Sequence, residues 1–155
     1  MAADAFIIRG LARVYIVPAV AVRTAPTRAE INAGTNLTAS VAGISGFALE
    51  NQVREFAPVG AAFTEQRAGV DKVTGPCTLT LYEQKTTATI RAAVVKGSVG
   101  FVILVPYGDV VARRCEVWPV RVVTVATLWE TTAAITFRAV FAPSAAPSQS
   151  AVLPA

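Results

Sequence analysis

Residues 77–83 read Cys77-Thr78-Leu79-Thr80-Leu81-Tyr82-Glu83. Cys77, Leu79 and Leu81 alternate with Thr78, Thr80 and Tyr82, and side chains along a strand point to opposite faces with a period of two. We therefore read a half-buried antiparallel strand, apolar toward a core and hydroxyl-bearing on its other side. Immediately downstream the period changes. Across residues 86–96, Ile90, Ala93 and Val94 stand at helical spacing behind a threonine, and Gly97 supplies a stop. One amphipathic helix is expected against the sheet. Residues 100–106 are continuously apolar, the mark of a strand buried on both faces, and Tyr107-Gly108-Asp109 turns the chain back. Residues 115–127 and 132–141 supply two more strands, joined near Glu130-Thr131.

Upstream, residues 11–17 alternate as a strand that Pro18 closes; a proline donates no ladder hydrogen bond, so an edge or barrel strand is expected. Residues 25–34 hold Pro26, then Thr27 with Glu30 three residues on, then Gly34, which predicts a capped short helical turn. Residues 46–56 set Phe47, Leu49 and Val53 among Glu50, Gln52, Arg54 and Glu55, a strand with one wet face. Residues 57–76 carry Pro58, Gly60, Gly69, Gly75 and Pro76 around a strand-like 63–67. So long a stretch with so little core signal is uncommon inside a compact domain and marks a functional or interacting excursion. Trp118 and Trp129 are expected as packing anchors. Residues 142–155 contain no charged side chain and few large apolar ones, so a neighbour is expected to order them. The regular β content argues for a sandwich or barrel.

At 155 residues the chain is one domain with a small excess for arms, and at that size a core forms without disulfide or metal staples. It contains no histidine, which excludes Ser-His-Asp and Cys-His catalysis and His-bearing zinc sites. Cys77 and Cys115 stand far apart without a C-x-x-C and read as buried reduced thiols. Gly43-x-x-Gly46 and Gly97-x-x-Gly100 lack the Lys-Ser/Thr of a phosphate-binding loop and read as turns. Glu50 and Glu55 fall on opposite faces of an extended strand, roughly 16 Å apart by strand rise, and so make no glycosidase pair. We expect no enzyme, no metal and no cofactor.

Mean hydropathy is +0.52, yet the most apolar stretches, 14–22 and 99–107, reach only about half the length of a transmembrane helix. Asp4, Arg9, Arg13 and Pro18 break the pattern of a secretory leader. No membrane insertion and no cleaved leader are expected, with the chain kept in a cytoplasm-like compartment. Only 15% of residues are charged against 54% hydrophobic, so a free monomer is short of solvated groups, and burial against copies of itself answers the shortage. The net charge of +4 is dispersed, with Arg113-Arg114 the only adjacent basic pair, and no recognition helix, finger spacing or RNP aromatics accompany it. Exposed strand edges, a Gly/Pro-rich loop and uncharged ends favour self-association through strand pairing and swapped arms.

Five pieces keep a particular order. They are Ala25-Pro26-Thr27-Arg28-Ala29-Glu30-Ile31-Asn32-Ala33-Gly34-Thr35; Ile44-Ser45-Gly46-Phe47; Phe63 through Gly69; Cys77-Thr78-Leu79-Thr80-Leu81-Tyr82 leading to the helix and Gly97; and Val117-Trp118-Pro119-Val120-Arg121-Val122. In that order and spacing, over residues 25–141, the chain resembles the major tail tube proteins of long-tailed, non-contractile bacteriophages (siphoviruses), especially the small ones of actinobacteriophages. The resemblance implies a mainly β fold, a β-sandwich or rolled β-barrel with one flanking α-helix. It implies rings of six copies stacked into a hollow tube, with one sheet of each subunit joining its neighbours into an inner barrel. It divides the chain into an N-terminal arm (1–10), a tail-tube β-domain (11–141) and a C-terminal arm (142–155). Contacts between subunits are expected from the loop at 57–76 through Pro58, Gly60, Phe63, Arg67, Gly69, Asp71 and Lys72, and from Phe6, Ile7, Pro143, Val152 and Leu153 of the arms.

The function so implied is structural: a virion tail component, assembled in the host bacterial cytoplasm, that encloses the tape-measure protein and later conducts double-stranded DNA to the host. Further partners implied are the tail terminator and the distal tail or baseplate proteins. Contact with DNA is transient and non-specific, and a basic wall would hold phosphates through counterion release, so a neutral or acidic lumen is expected. We place Glu50, Gln52, Glu65, Thr78 and Thr80, on a sheet over residues 46–83, toward the channel, with arginines pairing across rings or facing outward. The alternative is another virion or surface-assembly β-protein, a decoration or fibre subunit.

Overall fold

The structure is a computed structural model and describes residues 10–155. The arm expected at 1–10, with Phe6 and Ile7, lies outside the described residues but for Gly10. In chain order the elements are β1 (Arg13–Val17), α1 (Arg28–Ala33), β2 (Thr35–Asn36), β3 (Val41–Ser45), β4 (Leu49–Asn51), β5 (Arg54–Phe56), β6 (Glu65–Arg67) and β7 (Asp71–Val73). Then follow β8 (Cys77–Tyr82), α2 (Thr89–Ala93), β9 (Val99–Val105), β10 (Arg114–Leu128), β11 (Thr136–Pro143) and β12 (Ser148–Val152). The mainly β sandwich expected from the sequence is the fold observed.

Residues 77–83 behave as their alternation dictates. Cys77, Leu79 and Leu81 are fully buried while Thr78, Thr80 and Tyr82 turn away from the core. The strand sits inside an antiparallel sheet ordered β2-β1-β9-β10-β11-β8-β3. Its spine is β10: β9 lies along one edge, and β11 followed by β12 lies along the other. Register shifts between Cys115 and Val117 and between Val122 and Thr124 break the β12 and β11 ladders, and such bulges bend and coil a strand. The sheet rolls, and its β1–β2 edge is extended where the Leu37 N–H donates to the Val14 carbonyl (2.9 Å) and the Val14 N–H to Thr38 Oγ1 (3.0 Å).

The roll has apolar matter on both sides. Inside it, Trp118, Phe137, Phe141, Leu79, Leu81 and Leu37 pack with Ile90 of α2. Behind β9 and β10, Ile103, Val105, Val117 and Cys115 meet Ile31 of α1 together with Ala151 and Leu153. Val102 belongs to the first cluster and Ile103 to the second, the two-sided burial predicted from the unbroken apolar run. Truncating Trp118 would remove a fully buried side chain, a change that costs about 3–5 kcal/mol.

Four expectations change. The helix predicted over 86–96 contracts to Thr89–Ala93, because the Gln84 side chain rather than a threonine receives the Ile90 N–H (3.0 Å). The single strand predicted over 46–56 is broken into β4 and β5. Trp129, expected as a packing anchor, is 82% exposed, since it lies beyond the end of β10 in the turn to β11. Residues 148–152 are ordered by their own chain, not only by a neighbour: β12 pairs with β10, and Leu153 is 2% exposed.

Candidate assembly surfaces

The excursion is a hairpin over residues 46–76, longer than the 57–76 loop expected. Its legs pinch at the root, where Gly46 takes φ +80° and a Cβ would run into the Pro76 carbonyl; only glycine fits such a conformation comfortably. Phe47 sets its ring edge-on to Trp118, 5.4 Å between centroids, and so fastens the root to the core. Leu49 and Val73 face each other in register and pack against the same cluster.

Farther out, a second pinch separates the β4–β7 pair from the β5–β6 pair. Asn51 Nδ2 donates to the Gly69 carbonyl (3.1 Å) and to Asp71 Oδ1 (2.6 Å), while Asn51 Oδ1 accepts the Gly69 N–H (3.0 Å). A Cβ on Gly69 would strike the Gln52 carbonyl. These contacts explain why the strand breaks at residues 52 and 53. Both faces of the β5–β6 pair are wet, and in the β4–β7 pair only Leu49 and Val73 are half-buried, so the alternation that marks a half-buried strand is not sustained there.

Beyond the second pinch none of the described residues covers the hairpin. β5 and β6 are exposed throughout. Arg54 stands directly opposite Arg67, a like-charged cross-strand pair that weakens an isolated ladder. Arg67 is partly answered by Glu65 Oε2 (3.3 Å) and by the Phe56 ring, 4.7 Å below its guanidinium. At the tip, around the turn closed by the Ala61 N–H on the Pro58 carbonyl (3.0 Å), Val59 is 108% and Phe63 77% exposed. Of the loop residues expected to meet a neighbour, Pro58, Gly60, Phe63 and Arg67 are on this distal part, Gly69 is at the pinch, and Asp71 and Lys72 are on the anchored proximal part.

The five residues placed toward a channel do not share one sheet. Glu50 is in β4, Gln52 in the kink and Glu65 in β6, whereas Thr78 and Thr80 are in the main sheet. An arginine shares the face of those threonines in the main sheet. Thr80 pairs in register with Arg138 and Thr78 with Val140, and paired residues point to the same side of a sheet. Arg121 pairs with Ala142 on the same side of β11. The signal was available: Phe137, Ala139 and Phe141 are the buried set of β11, so the intervening Arg138 must face outward.

The C-terminal segment is strapped to its own chain. The Leu153 N–H donates to the Arg113 carbonyl (2.9 Å) and the Ala112 N–H to the Leu153 carbonyl (3.0 Å). Arg28 bridges Asp109 (2.8 Å) and the Pro154 carbonyl (2.8 Å), and Arg23 reaches the Ala146 carbonyl. Pro143 ends β11, Leu153 fills the second core cluster, and only Val152 of the three arm residues named there projects as an exposed large side chain.

The titratable groups carry no concerted chemistry. Burial raises the Cys77 thiol, and burial together with the Glu116 charge pushes Cys115 up to about 11, so both stay protonated near neutral pH. The Glu30 carboxylate is held below its usual range by backbone N–H groups of Thr27 (2.7 Å) and Ala21 (2.8 Å), completing the predicted capping box. Among the described residues no group of three or more Cys, Asp or Glu could hold a metal ion, and no helix is long and apolar enough to cross a membrane. Among curated proteins none matches the chain. The family model described as phage tail tube protein matches residues 1–155, and the chain belongs to that family, a structural component of the tube of a phage tail.

Proposed function

We propose that the chain is the repeating subunit of a long, non-contractile tail, with six copies closing a ring and rings stacking into a hollow tube. In assembly the tube surrounds the tape-measure protein, and after attachment it passes double-stranded DNA; its ends meet terminator and distal tail proteins. The observation that carries this reading is the contrast within one chain between a rolled sheet packed on its own core and a hairpin whose outer half no described residue covers. Exposed Val59 and Phe63 at its tip, with Phe56 beside Arg67, are apolar surface that a neighbouring subunit would bury. The hairpin is the arm between subunits, with Pro58, Gly60, Phe63 and Arg67 in contact and Gly69, Asp71 and Lys72 holding its direction. Thr78 and Thr80 line the channel, and Glu50, Gln52 and Glu65 flank it. End-on electron micrographs of tubes formed by the purified protein test the arrangement. Sixfold cross-sections around an open lumen are expected; solid fibres or rings of another order would contradict it.

A further inference from the structure

Two exposed surfaces stand at opposite ends of one pair of strands. β8 runs beside β11 from the Cys77–Phe141 pair to the Tyr82–Thr136 pair. The hairpin leaves the sheet at the Cys77 end, where Gly46 meets Pro76. The turn from β10 to β11 leaves it at the other end, where Leu128 pairs with Thr136. The length of β8 between them is roughly 17 Å, before the reach of the hairpin is added. Each surface holds what the other lacks. On one face of the outer hairpin lie Arg54, Phe56, Glu65 and Arg67, because Arg54 pairs with Arg67, Phe56 pairs with Glu65 and alternate residues share a side. Arg67 is answered by Glu65 and by the Phe56 ring, whereas the Arg54 side chain has no ion pair or hydrogen bond among the described residues. That face is one positive charge in excess. In the β10–β11 turn, Trp129 is among the most exposed large side chains of the chain, and the neighbouring Glu130 is exposed and unpaired among the described residues. Glu50 and Glu55 share that condition, but both are on the hairpin, Glu50 opposite Lys72 in register and Glu55 on the reverse face from Arg54.

We infer that Trp129 and Glu130 of one copy dock on the Arg54, Phe56 and Arg67 face of a second copy's hairpin, joining subunits head to tail. The inference rests on the reading of the hairpin as an arm between subunits and names the surface that it grips. The Glu130 carboxylate meets the Arg54 guanidinium in a charge-assisted pair. The indole of Trp129, the aromatic ring that best attracts a cation, lies against Arg67 and Phe56. Tryptophan and arginine are also the side chains that most often dominate the energy of an interface. A carboxylate brought to Arg54 offsets the like-charged Arg54–Arg67 pair, so the outer ladder is firmest when the site is filled. Because the two patches differ and each copy carries one of each, the contact is heterologous and repeats from copy to copy instead of stopping at a dimer.

The test is a charge swap on the purified full-length protein, read by sedimentation for association and by electron microscopy for the form of the product. Arg54→Glu alone and Glu130→Arg alone, each checked for folding by circular dichroism, should lose assembly. Mixed in equal amounts they should assemble again, because the altered hairpin of the first accepts the altered turn of the second and the two unaltered surfaces accept each other. Trp129→Ala should weaken assembly and leave the melting temperature unchanged, since its side chain lies outside the core. The control Lys96→Glu, the same change of charge at an exposed position ahead of β9, should assemble as the parent does. Parental assembly by either charge variant alone, equal loss in the control, or a mixture that stays apart would overturn the inference. Normal tubes from both single variants break the inference alone. Rescue by mixing that yields assemblies without a lumen breaks the tube reading alone.

Discussion

The rolled sheet and the hairpin differ in what holds them. In the sheet, each strand that matters has a face on a shared core, and β9 has two. In the hairpin, among the described residues, only the root touches that core, through Phe47, Leu49 and Val73, while the outer strands have neither a third strand nor a covering layer. An isolated two-stranded ladder is marginal in water. The lesson is a division of labour: the sheet stabilises the subunit, and the hairpin is shaped by two glycine pinches and an asparagine clamp so that it projects in a fixed direction. Its exposed apolar tip is the surface that the proposed assembly would bury.

Mutations should break along that line. The largest effect is expected from Trp118→Ala, which opens a hole at the junction of the sheet and the hairpin root; a loss of about 3–5 kcal/mol in denaturant unfolding is predicted, with tubes lost as a consequence of unfolding. A smaller effect on the same body is expected from Thr27→Ala, which removes the side chain that accepts the Glu30 N–H (3.3 Å) at the start of α1; about 1 kcal/mol is the usual cost of losing such a cap. The Glu30 carboxylate adds an acid-side dependence. Its folded pKa is lowered below 4.5, so its stabilisation is complete above that ordinary value and fades as the pH falls through the lowered one. Glu30→Gln should remove this acid-side loss; a pH–stability curve identical to that of the parent would refute it. The smallest effect on stability is expected at the hairpin tip, where Phe63→Ser should stay within about 0.5 kcal/mol and yet abolish tubes.

Legibility followed the range of the physical signal. The alternation at 77–83, the unbroken apolar run of β9 and the Thr27-x-x-Glu30 box are local patterns with one strong interpretation, and each stands in the structure as expected. The hairpin was half legible: its Gly and Pro residues announced an excursion, but an outer pair wet on both faces and an inner pair with only Leu49 and Val73 half-buried leave no period to follow. β12 was not legible because Ser148 and Ala151 are small and their burial depends on β10 and α1, distant in sequence. Trp129 misled for a related reason, since a large aromatic side chain promises burial only when some element reaches it. Arg138 was readable from its neighbours on β11, yet the sign of the face it shares with Thr80 emerges only once three strands are set in register.

The division between body and arm is tested most directly by replacing residues 54–67 with a two-residue Asn-Gly turn, which keeps β4, β7 and both pinches and removes the uncovered outer pair. Thermal unfolding and electron microscopy are then read on the same preparation. A melting temperature within a few degrees of the parent, with tubes absent, is the predicted result. Abundant normal tubes from the trimmed chain would contradict the assembly role of the hairpin, and an unfolded trimmed chain would contradict the independence of the sheet.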